Sequence, residues 1–165
     1  SLFQIAHAYT IFAHDGELIP VSIFKTNGPT DGERILSPQV ARQVRGMLET
    51  VTAPGGTAPE AQVMGYRVGG KTGTAYKHVG RGYDRSKYRA SFIGLAPMSN
   101  PRVIVAVSVD EPTSGSHYGG AVAGPVFSAI TGGALRALNV QPDSPIRQLM
   151  VTDKVPESEP WSATQ

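Results

Sequence analysis

The sequence predicts an α+β fold: an antiparallel sheet of three consecutive strands, packed with helices. Three observations carry this. Apolar residues recur at helical spacing in two segments near the start and in one near the end. Between them, β-branched runs follow one another over short or polar connections, which favours a meander. No strand alternates with a crossover helix, so a parallel βαβ sheet is excluded. The chain of 165 residues is long enough for one domain with a core. Its net charge of +2 is too mild to point to nucleic acid. It has no cysteine, which removes disulfides, thiol chemistry and cysteine-based zinc sites. No apolar run is long enough to span a membrane, and no signal peptide is visible.

Taken in order, Ser1 and Gln4 have capping-box spacing ahead of Leu2, Ile5, Tyr9 and Phe12, which predicts a helix ending near Gly16. "ELIPVSIFKTNG", residues 17–28, is β-branched and closes on Asn27-Gly28, so it reads as extended. Ser37-Pro38 is an N-cap followed by proline at the first helical position. Val40, Val44, Met47, Leu48 and Val51 continue that helix until Pro54-Gly55-Gly56 stops it. "YKHVGRGYDRSKYR", residues 76–89, carries Lys77, Arg81, Arg85, Lys87 and Arg89 against the single acid Asp84. It reads as a polar, solvated loop. "ASFIGLAP" and "RVIVAVSVDEP" read as two strands joined across residues 98–101, the second apolar on both faces. Pro125 is expected to open a buried apolar helix. Residues 1–140 form the domain, and 141–165 read as a tail, surface-hugging or disordered.

"GYRVGGKTGTA", residues 65–75, satisfies two signatures. Gly65 with Gly70-Lys71-Thr72 has the spacing of a phosphate loop. Such a loop needs a buried strand before it and a helix beginning at its Lys-Thr, whose amides hold the phosphates. Here "TAPEAQVM" is a poor buried strand and "GTAYKHVGRGY" a poor helix. Tyr66, Val68 and the threonines favour a strand instead. Its glycines allow close backbone approach, and an open edge beside Lys71 could take an extended peptide by strand addition.

Five stretches, "LSPQVARQVRGMLETV", "GTAPEAQVMGYRVGGKTGTAYK", "GYDRSKYRASFIGLAP", "NPRVIVAVSVDEP" and "HYGGAVAGPVFSAI", carry a resemblance. In this order they resemble the C-terminal part of the transpeptidase domain of class B penicillin-binding proteins, the septal cell-division type in particular. That implies the C-terminal portion of the serine β-lactamase/D,D-peptidase-like fold. The family uses Ser-x-x-Lys, Ser-x-Asn and Lys-Thr/Ser-Gly. Only the third is here. Ser22-Ile23-Phe24-Lys25 spells the first, but in an extended run serine and lysine point to opposite faces. It also lies too close before Lys71. "MSN", residues 98–100, is not the second. The expectation is therefore a fragment, catalytically silent alone.

The resemblance implies a serine acyl-enzyme on a D-Ala-D-Ala stem peptide, resolved by the amine of a second stem. Lys71 would place positive charge near the substrate carboxylate. Thr72 and Thr74 hydroxyls would bond that carboxylate, and the Thr74 N–H would form half of an oxyanion hole. Gly73 would leave room for the ligand. Strict alternation sets Lys71 opposite to Thr72 and Thr74, so the lysine stem must wrap round an edge. Tyr88, His117 and Tyr118, with Tyr76 beside the strand end, would form an aromatic wall, placed with Tyr83 in the loops flanking the strands. The histidines have no metal-ligand spacing, and neither a metal nor a cofactor is implied. The implied partners are stem peptide, β-lactam antibiotics, the N-terminal remainder of the same enzyme and cell-division membrane proteins. The implied place is the periplasmic face of the bacterial inner membrane, with the anchor outside this chain. Within the fold, a D,D-carboxypeptidase, a β-lactamase or a penicillin-sensing domain stay open. Outside it stand a phosphate-loop nucleotide binder and a non-catalytic peptide-binding module.

Overall fold

The computed structural model describes residues 1–144 apart from Pro29 and Ser114. The first helix, α1 (Leu2–Ala13), begins as its residues require. The Ser1 hydroxyl accepts from the Gln4 N–H, and Gln4 Oε1 accepts from the Ser1 amino group at 2.8 Å. It ends where Asp15 and Gly16 take positive φ and the Gly16 N–H reaches the Ile11 carbonyl at 2.7 Å. That bond is of the Schellman type, and glycine takes such a conformation without strain.

The extended reading of residues 17–28 is corrected. Only β1 (Glu17–Leu18) is paired, antiparallel to β2 (Glu33–Arg34). Strand propensity without a neighbour builds no ladder, and Pro20 offers no N–H to one. Ile23 and Phe24 are left 84% and 78% exposed. No helix begins at Ser22; its hydroxyl accepts the Phe24 N–H in a local turn. The second helix, α2 (Pro38–Glu49), has Ser37 as N-cap and Pro38 at its first position. Arg42 and Arg45 tie it to Asp15 at the end of α1. A 3-10 turn at Pro59–Ala61 follows.

The sheet is the predicted meander: β3 (Gly69–Val79), β4 (Gly82–Ala96) and β5 (Val103–Asp110), antiparallel in the order β3-β4-β5. Its register pairs Thr72 with Phe92, Thr74 with Ala90 and Tyr76 with Tyr88, and shifts between Tyr76 and Lys77. Residues 76–89 are thus not a polar loop. They are the outer half of a hairpin that turns at Gly80 (φ 61°) and Arg81. Three of their basic side chains are held by partners distant in sequence, which a local reading of polarity does not see. Lys77 pairs with Asp110 and Glu111, Lys87 with Glu111, and Arg89 with Asp110. Both α1 and the last helix pack against β5.

That last helix, α3 (Gly119–Ala137), starts six residues before Pro125, which lies inside it. One face is buried through Ala123, Phe127, Thr131 and Leu135, while Val126 and Ile130 on the other are exposed. Its buried side makes the core with Phe92, and the Phe92 and Phe127 rings meet edge-on at 4.8 Å. Past α3 the chain is clamped. The Asp143 carboxylate accepts the N–H groups of Arg67 (2.7 Å) and Ser99 (3.1 Å). The rest of the expected tail, 145–165, lies outside the described residues.

Candidate active site

The site starts from β3, which pairs with β4 on one side and with no described strand on the other. Lys71-Thr72-Gly73 lies on the first half of this free edge, within a strand and not at a helix start. The phosphate-loop geometry is therefore absent. Lys71 is exposed, and its stem bends back so that Nζ lies 3.1 Å from the Thr72 carbonyl and 3.5 Å from Thr72 Oγ1. Alternation opposes the two side chains; the four-carbon stem reunites them on one side of the strand.

Gly73 answers a constraint that the sequence does not reveal. A Cβ there would stand 2.5 Å from Ser91 Oγ, whose hydroxyl donates to the Gly73 carbonyl at 3.3 Å. Space at Gly73 thus serves Ser91 on β4 as well as any ligand. Thr74 Oγ1 accepts the N–H of Gly119, the first residue of α3, at 3.0 Å. The N-cap residue Tyr118 gives that helix no side-chain cap, so Thr74 serves from across the sheet. Ser91 and Gly119 are the contributors that sequence reasoning missed. The Gly119-Gly120 pair before an apolar run was the available signal for a tightly packed helix start.

The four aromatic candidates form one continuous line. Tyr76 and Tyr88 lie 5.1 Å apart across the β3–β4 pair, His117 stacks on Tyr88 at 4.0 Å, and Tyr118 follows at 4.5 Å. Tyr88 sits in β4 and not in a loop, because the hairpin continues past it. Loss of water contact and then the Tyr76 hydroxyl push the Tyr88 hydroxyl pKa above its usual range. Tyr83, on the outer hairpin, instead meets His78 edge-on at 5.5 Å.

Electrostatically, the nearby acids are already engaged. Hydrogen bonds from Lys77 hold the Asp110 and Glu111 carboxyls below their ordinary range, and the same bonds raise Lys77. Lys71 has no such partner; among the described residues its Nζ bonds only to Thr72. Two cavities among the described residues, of about 300 and 410 Å³, are lined by other segments, including Glu49, Tyr66 and Arg67 in one and Arg102 and Asn139 in the other. The Lys-Thr-Gly edge is an open wall, not a closed pocket. Among the described residues no three acids or histidines converge on a metal position, and no helix is long and apolar enough to cross a membrane.

An α+β fold with Lys-Thr-Gly on the free edge of an antiparallel sheet defines the class of penicillin-interacting serine enzymes. The family model described as the penicillin binding protein transpeptidase domain matches residues 1–132, and the chain belongs to that family. A probable peptidoglycan D,D-transpeptidase PenA of Neisseria meningitidis is 51% identical over 146 residues, covering 88% of this chain and 25% of that protein. The peptidoglycan D,D-transpeptidase FtsI of Escherichia coli is 43% identical over 141 residues, covering 86% of this chain and 24% of that protein. The apo structure of the transpeptidase domain from Burkholderia pseudomallei penicillin-binding protein 3 superposes with a TM-score of 0.81 at 69% identity. It is matched over 88% of this chain and 44% of that one. The chain thus spans about a quarter of the length of these curated relatives.

Proposed function

We propose that this chain supplies the Lys-Thr-Gly wall of a peptidoglycan D,D-transpeptidase. The observation that carries this is the free edge of β3, where the Lys71 ammonium comes round to the Thr72 side. A stem peptide ending in D-Ala-D-Ala lies antiparallel along that edge, its terminal carboxylate met by Lys71 charge and by the Thr72 and Thr74 hydroxyls. A serine outside this chain attacks the peptide carbonyl. The N–H of Thr74 donates to the oxygen as it gains charge, together with the nucleophile's own N–H. The terminal D-alanine leaves, and the amine of a second stem resolves the acyl-enzyme. β-Lactams enter the same path and stall as acyl-enzymes. Tyr76, Tyr88, His117 and Tyr118 flank the ligand's side chains as an apolar wall. The intact enzyme works at the periplasmic face of the inner membrane, in septal wall synthesis with cell-division membrane proteins.

Fluorescent penicillin labelling tests this. The intact enzyme is labelled, and this chain alone is not. Lys71→Ala lowers the acylation rate by about 100-fold, as loss of one charge-stabilising donor does elsewhere. Labelling of Lys71→Ala at the unaltered rate removes the role given to that lysine.

A further inference from the structure

We propose that the outer half of the β3–β4 hairpin is a sugar subsite, which holds the amino-sugar unit to which the stem peptide is joined. The inference rests on the stem-peptide reading above and extends it from the peptide to the glycan. A stem bound antiparallel to β3 runs with its N-terminus toward the end of that strand. Its carboxylate lies level with Thr72 and Thr74. From Thr74 to Val79 the strand covers about 17 Å, at ~3.4 Å for each position. A short stem is used up over that length. The sugar on its N-terminus therefore arrives at the hairpin tip.

The faces agree with this path. Alternation places Thr72, Thr74, Tyr76 and His78 on one side of β3. Tyr83 is the cross-strand partner of His78, and their rings meet edge-on at 5.5 Å. The line of Tyr88 and Tyr76 is thus continued outward, past the shift in register, to a Tyr83 that is 72% exposed. Such a ring offers a flat apolar face to the C–H face of a pyranose, and its hydroxyl to the sugar's polar rim. The cations of the hairpin divide the same way. Lys77, Lys87 and Arg89 are paired with Asp110 and Glu111. Arg81 at the turn and Arg85 beyond Asp84 are exposed and join no ion pair among the described residues. The acid of the tip, Asp84, accepts from the Ser86 N–H and hydroxyl instead. Two guanidinium groups are left to donate to the acetamido carbonyl and hydroxyls of an amino sugar.

The test is competition against fluorescent penicillin labelling of the intact enzyme. One competitor is a stem peptide carrying its disaccharide; the other is the same peptide acetylated at its N-terminus. The disaccharide-bearing stem is expected to compete about tenfold better, the scale of one stacked ring. Tyr83→Ala abolishes that advantage, Tyr83→Phe keeps most of it, and Arg81→Ala, which leaves both rings in place, lowers it in part. None of the three alters the penicillin labelling rate or the competition by the sugar-free peptide. Because Tyr83 is exposed, its truncation does not threaten the fold. Equal weakening of both competitors in Tyr83→Ala, or slower penicillin labelling of that variant, makes the ring a support of the hairpin and overturns the subsite. Equal competition by the two stems in wild type overturns it as well. A wild-type enzyme that is labelled but yields to neither stem refutes the stem-peptide reading. One that is not labelled refutes the function, and either result takes the subsite with it.

Discussion

At the scale of single residues, Gly73 is constrained from within the sheet. Its missing Cβ is what allows Ser91 Oγ to sit 3.3 Å from the Gly73 carbonyl. Gly73→Ala forces a methyl group to 2.5 Å from that oxygen, an overpacking that costs about 1–3 kcal/mol. Ser91→Ala alone removes one weak hydrogen bond and costs about 0.5–1.5 kcal/mol. The double substitution is expected to be more stable than the sum of the two losses implies, because it removes the collision. Denaturant unfolding of the four proteins in a cycle measures this coupling. Strictly additive losses would show that Ser91 does not constrain Gly73. Nothing local to Lys-Thr-Gly announces Ser91. It lies 18 residues away and is brought opposite Gly73 by the register of the hairpin. By contrast, Lys71, Thr72 and Thr74 are legible as a unit because they are adjacent in one strand.

At the scale of elements, the hairpin of β3 and β4 shows how pH acts on this fold. Asp110 and Glu111 have depressed folded pKa values, so their contribution is present above the unfolded carboxylate range, near pH 4, and is lost as pH falls through the lower folded values. Lys77 is raised, so its contribution is present below its unfolded value, near 10.4, and is lost as pH rises through the higher folded one. The network is therefore intact across neutral pH and fails at both extremes. The groups are at least partly exposed, so the effect is small and local. Amide protection of residues 77–89 should fall between about pH 5 and pH 3 in wild type and fall less in Lys77→Met. An equal fall in both would assign the change to other carboxylates. The same hairpin marks the limit of local reading. The starts of α1 and α2 are legible because Ser1 with Gln4 and Ser37 with Pro38 act within one turn. Residues 76–89 are not, because Lys77 meets its acids 33 and 34 positions away. Residues 17–28 fail in the opposite direction: their β-branched side chains invite a ladder, and β2 of the same chain supplies two residues of it.

At the scale of the whole molecule, α3 joins core and site along a single element. Gly119 at its first turn meets Thr74, and Phe127, about 12 Å further along at 1.5 Å per residue, fills the core against Phe92. Gly94 is small enough to admit that ring; a Cβ there would lie 2.8 Å from it. Phe127 is completely buried, so Phe127→Ala should destabilise the domain by about 3–5 kcal/mol, through lost transfer energy and the cavity left behind. Phe127→Leu, which leaves a smaller void, should lose less. The helix start has its own anchors in the Thr74 hydroxyl and in the tight backbone contacts of Gly119 with Ser91 and Gly73. At temperatures well below the unfolding transition, Phe127→Ala in the intact enzyme of the proposed function is therefore expected to be acylated by penicillin at close to the wild-type rate, while its denaturant midpoint drops sharply. Parallel measurement of the two separates the roles of the helix. A collapse of acylation in a Phe127→Ala protein that is still folded would mean that the core sets the position of the α3 start, and that the local anchors at Thr74 and Gly119 do not suffice to hold it.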